Sequence, residues 1–235
     1  MSVNFLRGQS YVIFMLLLVV SDIHGNLRAL SRIVKAVAGK NIDTVIVAGD
    51  VTDFGTGDNA IQILNTLKDV SKKIFYVPGN CDYVDTFDIK ELDEMNIHGK
   101  YAKIGDLFVI GVGGSVETPF STPFELGEEE IDSLLEKAYR SAKQPKNFIL
   151  VSHTPPYNTR LDLTYSGLHA GSRTVRTFIE EYKPMLVICG HVHEARGTDK
   201  LGESLMVNPG PARKGYYALV NIEKSREIEI FLGEA

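Results

Sequence analysis

Five short apolar runs in this sequence each stop at residues whose side chains can bind metal ions. Runs of this length, rich in β-branched residues, are typical of buried strands. In sheets of parallel strands, ligands collect beyond the carboxyl ends of the strands. One carboxylate after a strand proves little, whereas the same construction at five strand ends restricts the fold strongly. The candidate metal ligands delivered in this way are Asp22, His24, Asp50, Asn80, His153, His191 and His193.

The first half of the chain alternates between predicted strands and predicted helices. Strands are predicted at residues 16–21, 44–49 and 73–77, and amphipathic helices at 27–38 and 58–70. This succession implies parallel pairing with right-handed crossovers.

The second half is predicted to be richer in strands. The turn Gly105-Asp106 indicates a hairpin, His98 is interpreted as a surface turn residue, and the tail from residue 195 is predicted to form short antiparallel strands. The whole pattern favours two sheets stacked face to face with helices outside. Further helices are predicted at 85–95, 128–142 and 172–182, and further strands at 148–152, 185–189, 204–207, 216–222 and 227–231.

The apolar run at residues 12–20 resembles the core of a short signal peptide. It continues directly into Ser21-Asp22 without a small-residue cleavage site, and it is too short to span a bilayer. We therefore interpret it as the first core strand. Residues 1–14 are expected to be an extension, either disordered or not native, with Met15 as an alternative start. Residues 15–235 contain no Pro/Gly/Ser-rich linker, which favours a single domain.

Charge and cysteine content narrow the function classes. A formal net charge of −5 argues against a general nucleic-acid binder, because phosphate backbones need a basic footprint. Two cysteines in 235 residues do not form a disulfide framework, which favours a reducing cytoplasm. No membrane partner is expected, and homo-oligomers are compatible with the sequence.

The donor set predicts transition-metal ions. Asp22 and His24 are two residues apart on an extended chain, so their side chains leave the same face, and the same holds for His191 and His193. Histidine, carboxylate and amide donors together suit Mn, Fe or Zn better than Ca or Mg; Mn is favoured, and Ni also remains open. Asp50 is expected to bridge two ions held by the other strand ends.

These motifs together resemble the calcineurin-like metallophosphoesterase family. The resemblance implies an α/β fold, a four-layer α-β-β-α sandwich of two mixed β-sheets flanked by helices. It also implies a binuclear centre that hydrolyses phosphate esters by attack of a metal-bound hydroxide. The motifs that carry the resemblance are Asp22-x-His24, Gly49-Asp50-x-x-Asp53, Gly79-Asn80-x-Asp82, His153 and Gly190-His191-x-His193.

The resemblance also implies roles for single residues. The first ion would be held by Asp22, His24 and His193, and the second by Asn80, His153 and His191. Asp50 would bridge the two ions, while Asp53 and Asp82 would orient the ligands from behind.

One position departs from the commonest family pattern. Many relatives have histidine after Gly-Asn, where it is thought to protonate the leaving group, and this chain has Cys81. Loss of a general acid costs roughly 10²–10⁴ in rate. Some phosphodiesterase branches of the family also carry Gly-Asn-Cys-Asp, so we expect diesters or activated esters to be hydrolysed in preference to alkyl monoesters.

His169 is the further catalytic candidate besides Asp50 and Asn80. It lies where a long loop enters a predicted helix, whose N-terminus favours anions. A phosphate-side or proton-donating role and an ordinary loop position both remain open.

Two other function classes are compatible with the motifs. The family includes a non-catalytic coat-complex scaffold that also departs at the position of Cys81 but has altered ligands. A nuclease is the third possibility, although no basic or aromatic-rich groove is evident.

Overall fold

The computed structural model describes residues 13–84 and 89–235, which form two β-sheets between two layers of helices. The predicted α/β sandwich is therefore confirmed. In chain order the elements are β1 (Ile13–Val20), α1 (Leu27–Ala36), β2 (Thr44–Ala48), α2 (Gly57–Leu67), β3 (Ile74–Val77), α3 (Lys90–Met95), β4 (Lys100–Ile104), β5 (Leu107–Val112), α4 (Glu128–Ser141), β6 (Phe148–Ser152), α5 (Arg173–Tyr182), β7 (Leu186–Ile188), β8 (Gly197–Leu201), β9 (Ser204–Asn208), β10 (Tyr216–Glu223) and β11 (Ile228–Glu234).

The first sheet has the strand order β11-β10-β1-β2-β3. Strands β1, β2 and β3 run parallel, as the alternation of strands and helices predicted. Strand β10 pairs antiparallel with β1, and β11 with β10, so the end of the chain returns to the sheet in which it began.

The second sheet has the order β4-β5-β6-β7-β9-β8. The predicted hairpin is present as β4 and β5, while β5, β6, β7 and β9 run parallel. The tail was predicted to form short antiparallel strands, and β9 does pair antiparallel with β8, but its other edge pairs parallel with β7. The sequence pattern indicates that a segment is extended, but not which sheet it joins.

Three apolar clusters hold the four layers together. Along β1, Leu17 and Val19 face the second sheet, whereas Leu18 and Val20 face α1 and α2. This alternation follows from the period of two in a strand. All four side chains are fully buried, so the run interpreted as the first core strand occupies the middle of the protein.

His98 was wrongly interpreted as a surface turn residue. Its ring packs edge-on against Phe124, and its Nδ1 accepts a hydrogen bond of 2.8 Å from the Gly113 N–H. His98 lies between α3 and β4, and its neutral ring is therefore held against the loop between β5 and α4.

Parts of two predictions lie outside the described residues. Strand β1 already includes residues 13 and 14, and the rest of the predicted extension, residues 1–12, is not described. Helix α3 begins at Lys90, and residues 85–88 of the predicted helix are not described either. Within the described ranges, every helix is too short or too polar to cross a bilayer.

Candidate metal centre

All seven predicted ligands lie at one end of the two stacked sheets. Asp22 and His24 follow β1, Asp50 follows β2 and Asn80 follows β3, which are neighbours in the first sheet. His153 follows β6, and His191 and His193 follow β7, which are neighbours in the second sheet. Because parallel strands end at the same edge, stacking brings the five loops into contact.

One group of ligand atoms consists of Asp22, His24, Asp50 and His193. One potential ligand atom from each side chain lies within 4.8 Å of the others. The Nε2 atoms of His24 and His193 are 3.2 Å apart, and His193 Nε2 is 3.3 Å from Asp22 Oδ1. Two carboxylates and two imidazoles at these separations could hold a divalent cation.

A second group surrounds the amide oxygen of Asn80. Asn80 Oδ1 is 3.0 Å from His153 Nε2 and 2.8 Å from His191 Nδ1. Asp50 contacts both groups: its Oδ2 is 3.5 Å from His24 Nε2, and its Oδ1 is 3.5 Å from His153 Nε2. The carboxylate of Asp50 therefore stands between the two groups with one oxygen towards each.

The hydrogen bonding of His153 leaves room for a cation in the second group. His153 Nδ1 must donate to the Ala48 carbonyl oxygen, 2.7 Å away, because a carbonyl only accepts. In the neutral ring Nε2 then carries a lone pair that faces the lone pairs of Asn80 Oδ1. Either a proton on Nε2 or a cation must lie between them.

A buried oxygen of Asp22 indicates the same need in the first group. Among the described residues, Asp22 Oδ2 is buried without a hydrogen-bond partner. A buried carboxylate oxygen without a donor is costly unless a cation compensates it. The donor chemistry of the site therefore fits divalent metal ions.

The electrostatics of the site favour the neutral form of His24 and His191, whereas at His153 burial is outweighed by the carboxylates of Asp50 and Asp22, which raise the pKa of its ring. Burial lowers the pKa of His24 to about 4, and burial followed by the charge of His153 lowers the pKa of His191 to about 3. Neutral histidine is the form that binds metal.

Burial and the carboxylates of Asp22 and Asp82 raise the pKa of Asp50 to about 6. At Asp22, by contrast, the burial effect is outweighed by the hydrogen bond to His193 and the charge of His153, which lower the pKa of the carboxyl. The protonation of each ligand in the site therefore depends on its neighbours.

Several site residues have left-handed backbone conformations. The φ angles are +53° at Asp22, +46° at His24, +48° at Asp50 and +67° at His191. Such conformations cost of order 1–3 kcal/mol each for residues other than glycine and cluster at functional sites. The backbone is therefore held in strained turns that aim these side chains inward.

The predicted orienting residues act in different ways. Asp53 Oδ1 lies 3.5 Å from His24 Nδ1, which forms no hydrogen bond with any described residue, so the two side chains are near each other without a fixed bond. Asp82 instead accepts hydrogen bonds from the backbone N–H groups of Val51, Thr52 and Gly79. It therefore joins the loop after β2 to the loop after β3. Among the described residues, its side chain forms no hydrogen bond with any predicted metal ligand.

Cys81 contributes its backbone to the site. Its N–H donates to Asp50 Oδ1 over 2.9 Å. Burial and the neighbouring carboxylate of Asp50 raise the pKa of the thiol well above its usual range. The thiol is consequently a very weak acid.

Three positioning contacts were not found from the sequence. Asn80 Nδ2 donates to Thr122 Oγ1 over 3.1 Å, and Thr122 Oγ1 donates to Glu125 Oε1 over 2.6 Å, which turns Asn80 Oδ1 towards the histidines. Asn208 Nδ2 donates to the Val192 carbonyl oxygen between His191 and His193. Arg213 Nη2 lies 3.3 Å from His193 Nδ1. The turn containing Asn208 was noticeable in the sequence, but no local signal marks Thr122 or Arg213.

A cavity of about 600 Å³ opens beside Asn80 and His191. His169 lies in its wall, as does Arg173, which stacks on Tyr157. The first turn of α5 does not provide a free anion site there, because the Glu128 carboxylate accepts hydrogen bonds from the N–H groups of Arg173 and Thr174. The helix N-terminus therefore gives no support to an anion-binding role for His169, whose ring shares the cavity wall with Asn80 and His191. A catalytic role for His169 stays a prediction.

Comparison with known proteins finds relatives that match most or part of the chain. The model of the calcineurin-like phosphoesterase family matches residues 15–195. The uncharacterized protein MJ1162 of Methanocaldococcus jannaschii is 39% identical over 208 residues, which cover 87% of this chain and 91% of that protein. Phosphodiesterase YfcE of Escherichia coli K12 is 31% identical over 90 residues, covering 36% of this chain and 45% of YfcE.

Solved structures agree on the fold. The crystal structure of TT1561 of Thermus thermophilus superposes with a TM-score of 0.72 at 23% identity, covering 94% of this chain and 98% of that one. At this identity the likeness concerns the fold alone.

Proposed function

The chain belongs to the calcineurin-like phosphoesterase family, and from this premise we propose that it is a binuclear metal-dependent phosphodiesterase. The observation that carries the proposal is the position of Asp50. Each of its carboxylate oxygens lies 3.5 Å from a histidine of a different ligand group.

In this proposal each ion has its own ligands and shares Asp50. Asp22, His24 and His193 would hold the first ion, and Asn80, His153 and His191 the second. The mixture of imidazole, carboxylate and amide donors favours Mn, with Fe, Zn or Ni as alternatives. Two bound divalent ions lower the pKa of a water molecule and stabilise the charge on a phosphate that undergoes in-line displacement.

The residues of the chain supply position and charge. Asp50 is oriented by the Cys81 N–H, and Asn80 by Thr122, so both ligands are held before substrate binds. Burial of Asp22, which is fully enclosed, keeps water from competing for its carboxylate. Arg213 adds a positive charge at the edge of the centre, beside His193.

Two facts favour diesters over alkyl monoesters. The thiol of Cys81 is too weak an acid to replace the histidine usual at this position. In addition, YfcE, one of the relatives, is named a phosphodiesterase. We extend that substrate class to this chain as part of the proposal.

The test combines metal content with turnover. The protein should be purified, loaded with Mn²⁺, dialysed and analysed for metal, with bis(p-nitrophenyl) phosphate as the substrate. We expect two ions per chain and turnover, and Asp50→Asn should lose metal and at least about 100-fold of the activity. The exposed turn variant Asp106→Asn serves as a matched control and should change neither quantity.

The other function classes predict different results. A protein-interaction scaffold would retain no metal and would not turn over the diester. A nuclease would cleave single-stranded or duplex DNA under the same conditions. One ion per chain with full activity would contradict the binuclear centre, and no turnover with Mn, Fe, Zn or Ni would contradict the enzyme proposal itself.

A further inference from the structure

His169 has a carboxylate partner that the sequence did not indicate. Its Nδ1 lies 2.7 Å from Asp162 Oδ1, and Asp162 is completely buried. Since a carboxylate oxygen only accepts, Nδ1 carries the hydrogen of this bond. The contact fixes the ring orientation and selects the hydrogen position, as carboxylates do for catalytic and metal-binding histidines.

Asp162 is itself held rigidly by the loop between β6 and α5. Its carboxylate accepts hydrogen bonds from the backbone N–H groups of Asn158, Thr159 and Gly171, with N···O distances of 2.9–3.1 Å. The loop therefore closes around the buried carboxylate of Asp162. Among the described residues, His169 is the only one whose ring this carboxylate hydrogen-bonds. A histidine that served only to fill space would not need this support.

The other ring nitrogen of His169 remains available. Nε2 has no hydrogen-bond partner among the described residues, and the side chain is 29% exposed. The ring lines the same cavity as Asn80 and His191, two proposed ligands of the second ion. Tyr157 packs edge-on against the ring from one side. His169 thus lines the space next to the reaction centre, and in the protonated ring, with Nδ1–H bonded to Asp162, Nε2 carries the proton that can be donated.

The cavity wall has apolar surface that can bind an apolar leaving group. Val116, Pro119 and Phe120 contribute apolar surface from the loop after β5, and Leu168 does so from the loop that carries His169. Phe120 is 82% exposed and Leu168 is 68% exposed, so both have surface to bury against a ligand. A volume of about 600 Å³ is in the range of pockets for small organic molecules.

We propose that this cavity binds the leaving group of the ester and that His169, positioned by Asp162, donates the proton to the departing oxygen. The inference rests on the proposed function. It identifies the substrates as phosphodiesters with an apolar alcohol that leaves poorly without a proton, and it gives the acid role to a residue distant in sequence from Cys81.

The step balances as a hydrolysis. The oxygen of a water molecule forms the new bond to phosphorus and loses one proton to solvent. The bond from phosphorus to the leaving oxygen breaks, and its electron pair stays on that oxygen. The proton from His169 Nε2 moves to the leaving oxygen, which departs as a neutral alcohol, and Nε2 takes a proton from solvent. Asp162 keeps its hydrogen bond to Nδ1 throughout.

The test compares two substrates that differ only in the leaving group. Methyl p-nitrophenyl phosphate releases p-nitrophenolate, a good leaving group that needs no proton. Methyl phenyl phosphate releases phenolate, a poorer leaving group that departs more readily when it is protonated. In His169→Ala we expect kcat for the phenyl ester to fall about 100-fold or more and for the nitrophenyl ester less than about fivefold. Free imidazole should restore part of the lost phenyl ester activity, and the metal content should not change.

Asp162→Asn tests the positioning role. It should lower turnover of the phenyl ester only, without rescue by imidazole, and the double variant should be no worse than His169→Ala because the two residues act as one unit. Tyr165→Ala provides the matched control, since Tyr165 lies in the same loop but is 91% exposed. It should leave both substrates unaffected.

The outcomes separate the two proposals. An equal loss on both esters in His169→Ala, or no loss on either, would overturn the role of His169 while leaving the metal-dependent hydrolase intact. Lack of rescue by imidazole together with loss of metal would make His169 a structural residue only. Failure of the wild-type protein on both esters would overturn the proposed function, and this inference with it.

Discussion

Asn208 Nδ2 donates a hydrogen bond of 2.9 Å to the carbonyl oxygen of Val192. Asn208 is completely buried at the end of β9, and Val192 lies between the two histidines that follow β7. The contact therefore fixes the backbone at Val192, between His191 and His193. A side chain in a neighbouring strand thereby decides the geometry of two proposed ligands.

Asn208→Ala should weaken metal binding without unfolding the protein. The Val192 carbonyl would lose its donor, and residues that orient ligands typically change metal affinity about 10–100-fold. Mn²⁺ titration followed by calorimetry measures the effect. Asn221→Ala, a second buried asparagine in β10, is the matched control and should leave the affinity unchanged. Equal affinities for the two variants would refute the role of Asn208.

Gly190→Ala should displace the first ligand group. A Cβ at this position would overlap Ser21 Oγ and lie 2.8 Å from Asp22 Oδ2, so Asp22 must move. Overpacking of this kind costs about 1–3 kcal/mol of unfolding free energy. Urea denaturation and metal analysis should show losses of both stability and metal. Gly197→Ala, where the nearest atoms are 4.0 Å away, should show neither.

Asp82→Asn should destabilise the fold more than it impairs chemistry. The amide would place an NH₂ group among backbone N–H donors that now bind a carboxylate. An unsatisfied buried donor costs about 1–3 kcal/mol. Thermal and urea unfolding of the metal-free protein measure it, with the exposed Asp106→Asn as the reference. An unchanged unfolding free energy would contradict the assigned role.

His98 should make the stability depend on pH. Burial, followed by the charge of Lys100, lowers the pKa of His98 to about 4 from 6.5. The unfolded chain therefore takes up this proton first as the pH falls, so the contribution of His98 is complete above pH 6.5 and is lost on acidification towards 4. Between pH 8 and 5 the loss amounts to about 2 kcal/mol.

His98→Asn keeps an acceptor for the Gly113 N–H but cannot titrate. Its unfolding free energy should therefore fall by less than that of the wild type over the same pH range. Urea denaturation of both proteins in parallel isolates His98, because the histidines of the metal centre are common to both. Parallel pH profiles would show that His98 contributes nothing.

Phe120→Ala should raise KM for aryl diesters with little change in kcat. The ring is exposed in the cavity wall, so a substrate gains by covering it, and burial of part of a phenyl group is worth about 1 kcal/mol, or about fivefold in KM. Steady-state kinetics on methyl phenyl phosphate measures the effect. Phe231→Ala, 56% exposed on β11 and outside the cavity lining, is the control. A drop in kcat alone would argue against binding at Phe120.

The regular elements were largely predictable, and the exceptions have a physical reason. Buried parallel strands such as β2 and β6 are continuous apolar runs, so each can be predicted from its own sequence alone. Strand β8 was missed because its sequence, Gly-Thr-Asp-Lys-Leu, contains little apolar surface. It lies at the edge of its sheet and is formed by pairing with β9. The sequence of β8 itself contains no pattern that predicts this pairing.

By itself the sequence determined which residue types stand at the strand ends, because an apolar run and the polar residue that ends it are adjacent in the chain. Convergence of the loops after β1, β2, β3, β6 and β7 followed from parallel topology.

Only the tertiary structure decided how those side chains are oriented. Asn80 meets Thr122 across 42 positions, Val192 meets Asn208 from another strand, and His169 meets Asp162 inside a loop without regular structure. Such contacts depend on the packing of segments far apart in the chain or on irregular turns, so neither periodicity nor spacing encodes them.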